Sequence, residues 1–456
     1  MLAMAPHKFL LLSLVLFSFN HFFCFSKLDE DRTLGYLDDI SSDVMSTHPS
    51  YYGAVHAERE TIKYRPNRFV LERVARVASL RSSQEVVNVE GYGAKGDGTD
   101  DTEAFEEAWK KACSSSTSAV LMVPENKRYL LKPVTFSGPC KSDVSLMIKG
   151  TIEASSDRSD WNGKNGRHWI LFSGIENLYV GGGGTINGNG KIWWQNSCKI
   201  DKSLPCKNAP TAMTFYSCDK LTVENLNIKD SQQIHVSFER STNVKVSSLT
   251  ITAPEKSPNT DGIHVTMTKN IAITNCVIGT GDDCISIESG SQNVKATNIV
   301  CGPGHGISIG SLGDRGSEAQ VSNVIVDTAQ LKGTTNGARI KTWQGGRGYA
   351  KDIIFQNLVM HGVQNPIIID QSYCDSQEPC KQQDSAVEVS NVTYNNIKGT
   401  SASKVAIKFD CSTTVPCHDI VLQDVDLVGE GHAATSLCNH VNWTKEGNVI
   451  PLPCAK

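Results

Sequence analysis

From about residue 143 onward the chain reads as short β-branched runs broken by Gly, Asn and Ser. The runs recur as NLYV at 177, KLTV at 220, NVKV at 243, NIAI at 270, NVKA at 293, NVIV at 323 and DIIF at 352. From 220 the starts lie 23, 27, 23, 30 and 29 residues apart, and the earlier gap of 43 holds the insertion GGGTINGNGKIWWQNSCKIDKSLPC. A period in the twenties, with short strands and no helices between them, describes a solenoid in which each repeat is one coil. The predicted fold is therefore all-β, a parallel β-helix.

A second register runs through the same coils: DGIHV from Asp261, DCISI from Asp283, HGISI from His305, ARIKT from Ala338 and NPIIID from Asn365. Neighbouring parallel strands lie about 4.8 Å apart, so residues at equal places in successive coils form a column on one face. Down that column come Asn259 and Asp261, then Asp282 and Asp283, then His305, then Arg339 and Lys341, then Tyr373. Asn and Asp at coil boundaries commonly serve turns, which accounts for one or two of these residues. Turn chemistry does not account for three carboxylates, an imidazole and two cations in consecutive coils.

Glycoside hydrolysis needs this set: one carboxylic acid to protonate the leaving oxygen and one carboxylate to activate water or attack carbon. One rung plus a lateral offset puts Asp261 roughly 5 to 9 Å from Asp282 or Asp283, a range that overlaps the spacing of inverting enzymes. Three carboxylates this close cannot all ionise freely, so one should be raised and hold a proton. Arg339 and Lys341 alternate in a strand and share a face, and two fixed cations beside a sugar-cleaving site imply a uronide substrate. The adjacent pair Asp282 and Asp283 conflicts with strict strand alternation, which would drive one carboxylate into the core. Gly279 and Gly281 permit a bend there, so both can face the groove while Cys284 or Ile285 resumes the inward alternation.

Ahead of the repeats, a strand EVVNVEGYGA precedes a helix DTEAFEEAWKKAC, whose Ala104, Phe105, Ala108, Trp109 and Ala112 form one apolar face. Asp100, Asp101 or Thr102 can cap it, and its position suits a lid over the solenoid's open end. GYGAKG, residues 91–96, fits the GxGxxG spacing of a dinucleotide site. Asp97, Asp100 and Asp101 crowd the helix start with negative charge, and no strand–helix alternation follows, so that function is excluded.

Residues 1–26 combine Lys8, an apolar stretch from Phe9 to Phe19 and small residues suited to cleavage, which reads as a signal peptide too short to span a bilayer. Residues 27–85 are acidic, then basic and helix-like, an N-terminal extension or propeptide, and residues 86–456 form the catalytic domain. The protein is expected to be secreted and free of the membrane once the signal is cleaved. A net charge of −4 without a basic run gives no footprint for nucleic acid.

Fifteen cysteines become fourteen once Cys24 leaves with the signal, an even number on an oxidising route. Cys198 with Cys206, Cys374 with Cys380 and Cys411 with Cys417 are close enough for local disulfides, whereas Cys218 and Cys276 in strand-like runs are either paired or buried thiols. Asn391 in NVT and Asn442 in NWT are glycosylation acceptors.

NTDG, GDDC, GHGISIG, RIK and DQSYC, in this order, resemble the polygalacturonases of glycoside hydrolase family 28, with the tone of the plant members. The resemblance extends from about Val86 to the C-terminus and includes GAKGDGTDDTEAF and GTINGNGKIWW. It implies a right-handed parallel β-helix and inverting hydrolysis of α-1,4 bonds in homogalacturonan, with no metal and no cofactor. By motif, Asp282 would be the general acid and Asp261 with Asp283 would hold the water. His305 would keep Asp282 protonated or position it, Arg339 and Lys341 would bind the galacturonate carboxylate, and Asn259 and Tyr373 would support the substrate. The resemblance also implies a Cys284–Cys301 disulfide and suggests Cys113–Cys140 and Cys438–Cys454.

Within that family, internal cleavage competes with exo action and with hydrolysis of substituted pectins, and the long groove favours internal cleavage. A calcium-dependent pectate lyase with an arginine base could share the architecture. A non-catalytic pectin-binding solenoid is disfavoured because none of the three carboxylates is lost.

Overall fold

The computed structural model describes residues 84–454 except 163–165, 208, 377–379 and 453. The expected leader, 1–26, and all but the last two residues of the 27–85 extension lie outside the described residues. The strands pair in parallel, coil upon coil, and gather into sheets of 17 and 11 strands. This is a parallel β-helix.

The recurring motif marks a corner. Asn177, Lys220, Asn243, Asn270, Asn293, Asn323, Asp352 and Asn391 all adopt left-handed backbone angles, with φ between 51° and 59°. The apolar residue after each stacks in register, Leu221 on Val244 on Ile271 on Val294 on Val324 on Ile353 on Val392. Asn tolerates this conformation better than other side-chain-bearing residues. Its amide then bonds the coil before: Asn270 donates to Asn243 at 3.2 Å, Asn293 to Asn270 at 2.8 Å and Asn323 to Asn293 at 2.7 Å. A second left-handed column, including Asn225, Asn275, Asn298, Asn357 and Asn396, bends the same long strands half-way.

Inward residues stack along the axis. Phe172, Phe215 and Phe238 lie nearly parallel with ring centroids 4.8 and 5.3 Å apart, so the coil spacing sets the ring spacing. Helix α1, Thr102–Cys113, buries Ala104, Phe105, Ala108, Trp109 and Ala112 over the first coils. Trp109 packs on Phe136 and donates its indole N–H to the Ser137 carbonyl at 3.1 Å. Covering this end removes an exposed sheet edge.

Six disulfides form: Cys113–Cys140, Cys198–Cys206, Cys284–Cys301, Cys374–Cys380, Cys411–Cys417 and Cys438–Cys454. Cys218 and Cys276 are free and buried, which resolves the alternative left open for them.

Three local expectations are corrected. The first strand stops at Asn88, because the Asn88 side chain accepts a hydrogen bond from the Glu90 amide and starts a 3₁₀ turn, Val89–Tyr92. Of the three candidate caps, Asp100 accepts from the Thr102 amide at 3.0 Å, while Asp101 occupies the cap position of α1 without capping it. Its carboxylate instead accepts from the Lys95 and Gly96 amides at 2.7 and 3.2 Å, so the loop that mimics a dinucleotide fingerprint spends its amides on the chain's own carboxylate. The fourth rung of the second register begins two residues earlier than expected: Ala338 pairs with Ile307, which places Asn336, not Ala338, level with His305. The irregularity in this pairing comes later, between Ile309 and Leu312, and slips it by one residue.

Candidate active site

Five consecutive rungs carry the site: β1, Ile263–Thr266; β2, Ile285–Ile287; β3, Ile307–Leu312; β4, Asn336–Trp343; and β5, Asn365–Tyr373. Ile263, Ile285, Ile307, Ala338 and Ile367 lie in one register. Asp261, Asp283 and His305 each precede their rung by two residues, so they stack as the sequence predicts. Asp282 sits one residue further back. Gly281 fixes that approach for lack of space: a side chain there would collide with the Ser257 backbone, so the bend rests on close contact. Cys284, bonded to Cys301, and Ile285 then point into the core.

All eight expected residues meet in one cavity of about 360 Å³ lined by Asn259, Asp261, Asp282, Asp283, His305, Arg339, Lys341 and Tyr373. Asp282, Asp283 and His305 bring one polar side-chain atom each within 4.8 Å of the others. Asp282 Oδ1 accepts from the Asp283 amide at 2.8 Å and lies 3.0 Å from His305 Nδ1. That hydrogen bond raises the His305 pKa. The Tyr373 ring stands edge-on to Trp343 at 5.3 Å, and Lys341 Nζ lies 5.3 Å from the Tyr373 centroid.

Asp283 is the fixed anion. Only 1% of its side chain is exposed, yet Arg339 Nη2 donates to Oδ1 at 2.7 Å, Lys341 Nζ to Oδ2 at 2.9 Å and Ser308 Oγ to Oδ1 at 2.8 Å. Burial opposes ionisation, but the Arg339 and Lys341 charges outweigh it and hold this carboxyl down at about 2. Asp261 moves the other way: burial first, then the charges of Asp282 and Asp283, raise it well above the usual carboxylate range, while Ser286 Oγ donates to Oδ2 at 2.7 Å. One carboxylate of the cluster is raised, as expected, and it is Asp261. The clustered Asp282, Asp283 and His305 resemble a metal ligand set by type. A cation there would face Arg339 and Lys341, already bound to the same Asp283 oxygens, so the charge balance disfavours it.

Sequence reading missed several contributors. His264, Ser286, Ser308 and Arg339 share one outward register, and His264 Nδ1 lies 2.8 Å from Ser286 Oγ while Arg339 Nε donates to Ser308 Oγ at 2.8 Å. Period-two alternation puts each one residue beyond its inward Ile or Ala, and that signal could have found His264, Ser286 and Ser308 beside the expected Arg339. Burial pushes the Glu288 carboxyl, on the same cavity wall, up to about 7. Lys199 and Asp375 form an ion pair across the cavity from two disulfide-tied loops, 176 residues apart, which no local pattern announces.

Residues 113–448 match the glycosyl hydrolases family 28. The chain belongs to this family. A polygalacturonase of Persea americana is 60% identical over 397 residues, covering 86% of each chain. Polygalacturonase-2 of Solanum lycopersicum is 60% identical over 369 residues, covering 80% of each. Among solved structures, an endo-xylogalacturonan hydrolase from Aspergillus tubingensis shares the fold with a TM-score of 0.68 at 24% identity, over 80% of this chain and 99% of that one. In this family 28 chain the motif residues are thus not merely present in order; they converge on one cleft.

The Asp283 pairing generates a stability prediction. Asp283→Asn leaves Arg339 and Lys341 as uncompensated cations with side chains 12% and 10% exposed. Unfolding midpoints should fall, corresponding to about 3–5 kcal/mol, with partial recovery on adding Lys341→Met. An unchanged midpoint for Asp283→Asn contradicts the pairing.

Proposed function

We propose that this cleft hydrolyses the α-1,4-galacturonosidic bonds of homogalacturonan in pectin, with inversion and by cutting within chains. The observation that carries the proposal is the buried Asp283, clamped by Arg339 and Lys341 beside the Asp282–His305 pair. An acid-and-water machine stands next to two cations in the same cavity. Neither cation is exhausted by Asp283: Arg339 keeps guanidinium donors and Lys341 two ammonium donors for a sugar carboxylate. The 60% identity to proteins named polygalacturonase supports this substrate.

In this reading, Asp283 is pinned ionised and cannot hold the catalytic proton, which falls to Asp282. The productive state has the proton on Asp282, where the carboxyl reaches the cavity and His305 stands ready to resupply it. Asp261, then ionised, orients the attacking water with Asp283. Water adds to the anomeric carbon as the glycosidic C–O bond breaks, Asp261 takes the proton that the water gives up, and Asp282 protonates the departing oxygen. Asn259 and Tyr373 flank the sugar.

The protein acts outside the cell in the plant cell wall as a monomer, after losing residues 1–26. Six disulfides suit that compartment, and among the described residues no helix is long and apolar enough to cross a membrane. Asn442 and Asn391 are both exposed and would carry the glycans, although the Asn391 amide already donates to Asp352 at 2.7 Å.

Asp282→Asn should lower reducing-end release from polygalacturonate by roughly 10²–10⁴-fold, and near-normal release would refute its role. Wild-type enzyme should release mixed oligomers before monomer, with viscosity falling ahead of reducing-end formation; early release of monomer alone would assign exo action. Ser286→Ala removes a hydrogen bond that lowers the Asp261 pKa. Asp261 then stays protonated to higher pH, and because it must be ionised to hold the water, the acidic limb of the kcat/KM profile should move upward; a downward move contradicts that role.

A further inference from the structure

The same three-part device occurs twice in the site. In one copy, Arg339 Nε donates to Ser308 Oγ at 2.8 Å, and Ser308 Oγ donates to Asp283 Oδ1 at 2.8 Å. In the other, His264 Nδ1 lies 2.8 Å from Ser286 Oγ, and Ser286 Oγ donates to Asp261 Oδ2 at 2.7 Å. His264, Ser286, Ser308 and Arg339 sit on β1, β2, β3 and β4 in one outward register, so each serine hydroxyl stands between a nitrogen and a carboxylate.

A serine hydroxyl has one proton to give and lone pairs to fill. With the Ser286 proton on Asp261, its oxygen accepts from His264, which assigns the imidazole proton to Nδ1. The serine of the preceding rung does not compete for the ring: Ser237, level with His264, turns its hydroxyl to Glu239 at 2.9 Å. Two charged groups bear on the imidazole, Lys341 and Asp283. Burial first, then the Lys341 charge, hold the ring down at about 4 against the opposing pull of Asp283, so it stays neutral. The two copies thus differ in one respect. A permanent cation backs the serine on Asp283, the carboxylate pinned as an anion, whereas a neutral donor backs the serine on Asp261. A cation behind Ser286 would favour the ionised Asp261 and weaken it as a proton acceptor.

We infer that His264 is a positioning residue for the proposed reaction: through Ser286 its neutral ring aims Asp261 at the attacking water and leaves that carboxylate basic enough to take the water's proton. Ser286 and Asp261 line the catalytic cavity and His264 does not, so His264 acts through the serine and not on the sugar. Asp282, Asp283 and Lys341 are the charged groups that face Asp261, and the substitutions below leave all three in place. The inference rests on the proposed pectin-hydrolysing reading of the cleft.

The experiment measures kcat, KM and the pH dependence of kcat/KM on polygalacturonate for wild type, His264→Phe, His264→Asn, Ser286→Ala and His264→Phe/Ser286→Ala. Phe keeps a planar ring and removes the donor, while Asn keeps an N–H near the place of Nδ1. His264→Phe should lower kcat roughly tenfold with KM nearly held, and should move the acidic limb upward by roughly half a pH unit, because Asp261 loses part of the bond that favours its ionised form. His264→Asn should recover most of both effects. In the Ser286→Ala background His264→Phe should add little, since its influence runs through that hydroxyl. An unchanged kcat and limb in His264→Phe, a loss that multiplies with Ser286→Ala, or an Asn variant no better than the Phe variant overturns the inference. His264→Leu takes the place of His264→Phe if that variant does not fold. If wild type releases no reducing ends from polygalacturonate, the underlying reading fails instead.

Discussion

The structure depends on each coil turning its corner at the same place. A left-handed residue at every corner costs roughly 1–2 kcal/mol for most side chains, and Asn lowers that cost by bonding its neighbours. The ladder from Asn243 through Asn270 and Asn293 to Asn323 links four successive coils in this way. If one corner slipped by a single residue, every side chain of that rung would change faces. Ser286 and Ser308 would enter the core and Ile285 and Ile307 would line the groove. The polar cluster on the outer face is therefore a consequence of corners formed on other faces of the coil.

Given that register, the site assembles by charge balance. Asp283 is buried and ionised only because Arg339 and Lys341 reach it from two rungs away, and they remain in the cavity only because Asp283 compensates them. The arrangement separates the chemistry of three neighbouring carboxylates. The cations hold Asp283 low, burial and like charge lift Asp261, and Asp282 keeps the solvent-reaching position beside His305. Three identical functional groups are thereby made inequivalent by their surroundings alone.

The same logic extends beyond the five rungs. The coils supply a stiff floor, while the loops carrying Trp193, Lys199, Lys207 and Asp375, each braced by a nearby disulfide, raise the walls around it. The rungs fix the clustered side chains, and the loops bound the cavities above them.

Much of this was legible in the chain. Periodicity exposed the coils because each repeats the same demand, one corner residue followed by an inward β-branched one, and the column from Asp261 to His305 followed from equal spacing. The helix over the first coils was equally plain from its single apolar face. Legibility failed where spacing was irregular. The fourth rung lies two residues away from the expected register, and the Asp101 carboxylate fills a loop that resembles a nucleotide site. The sequence by itself determined the solenoid, its corners and the identity of the chemical groups, since these are properties of local repetition. That burial and like charge raise the Asp261 carboxyl, that both cations are bound to Asp283, and that Lys199 meets Asp375 across the cleft emerge only on folding. Those outcomes depend on burial and on distances between residues far apart in the chain, which no local pattern encodes.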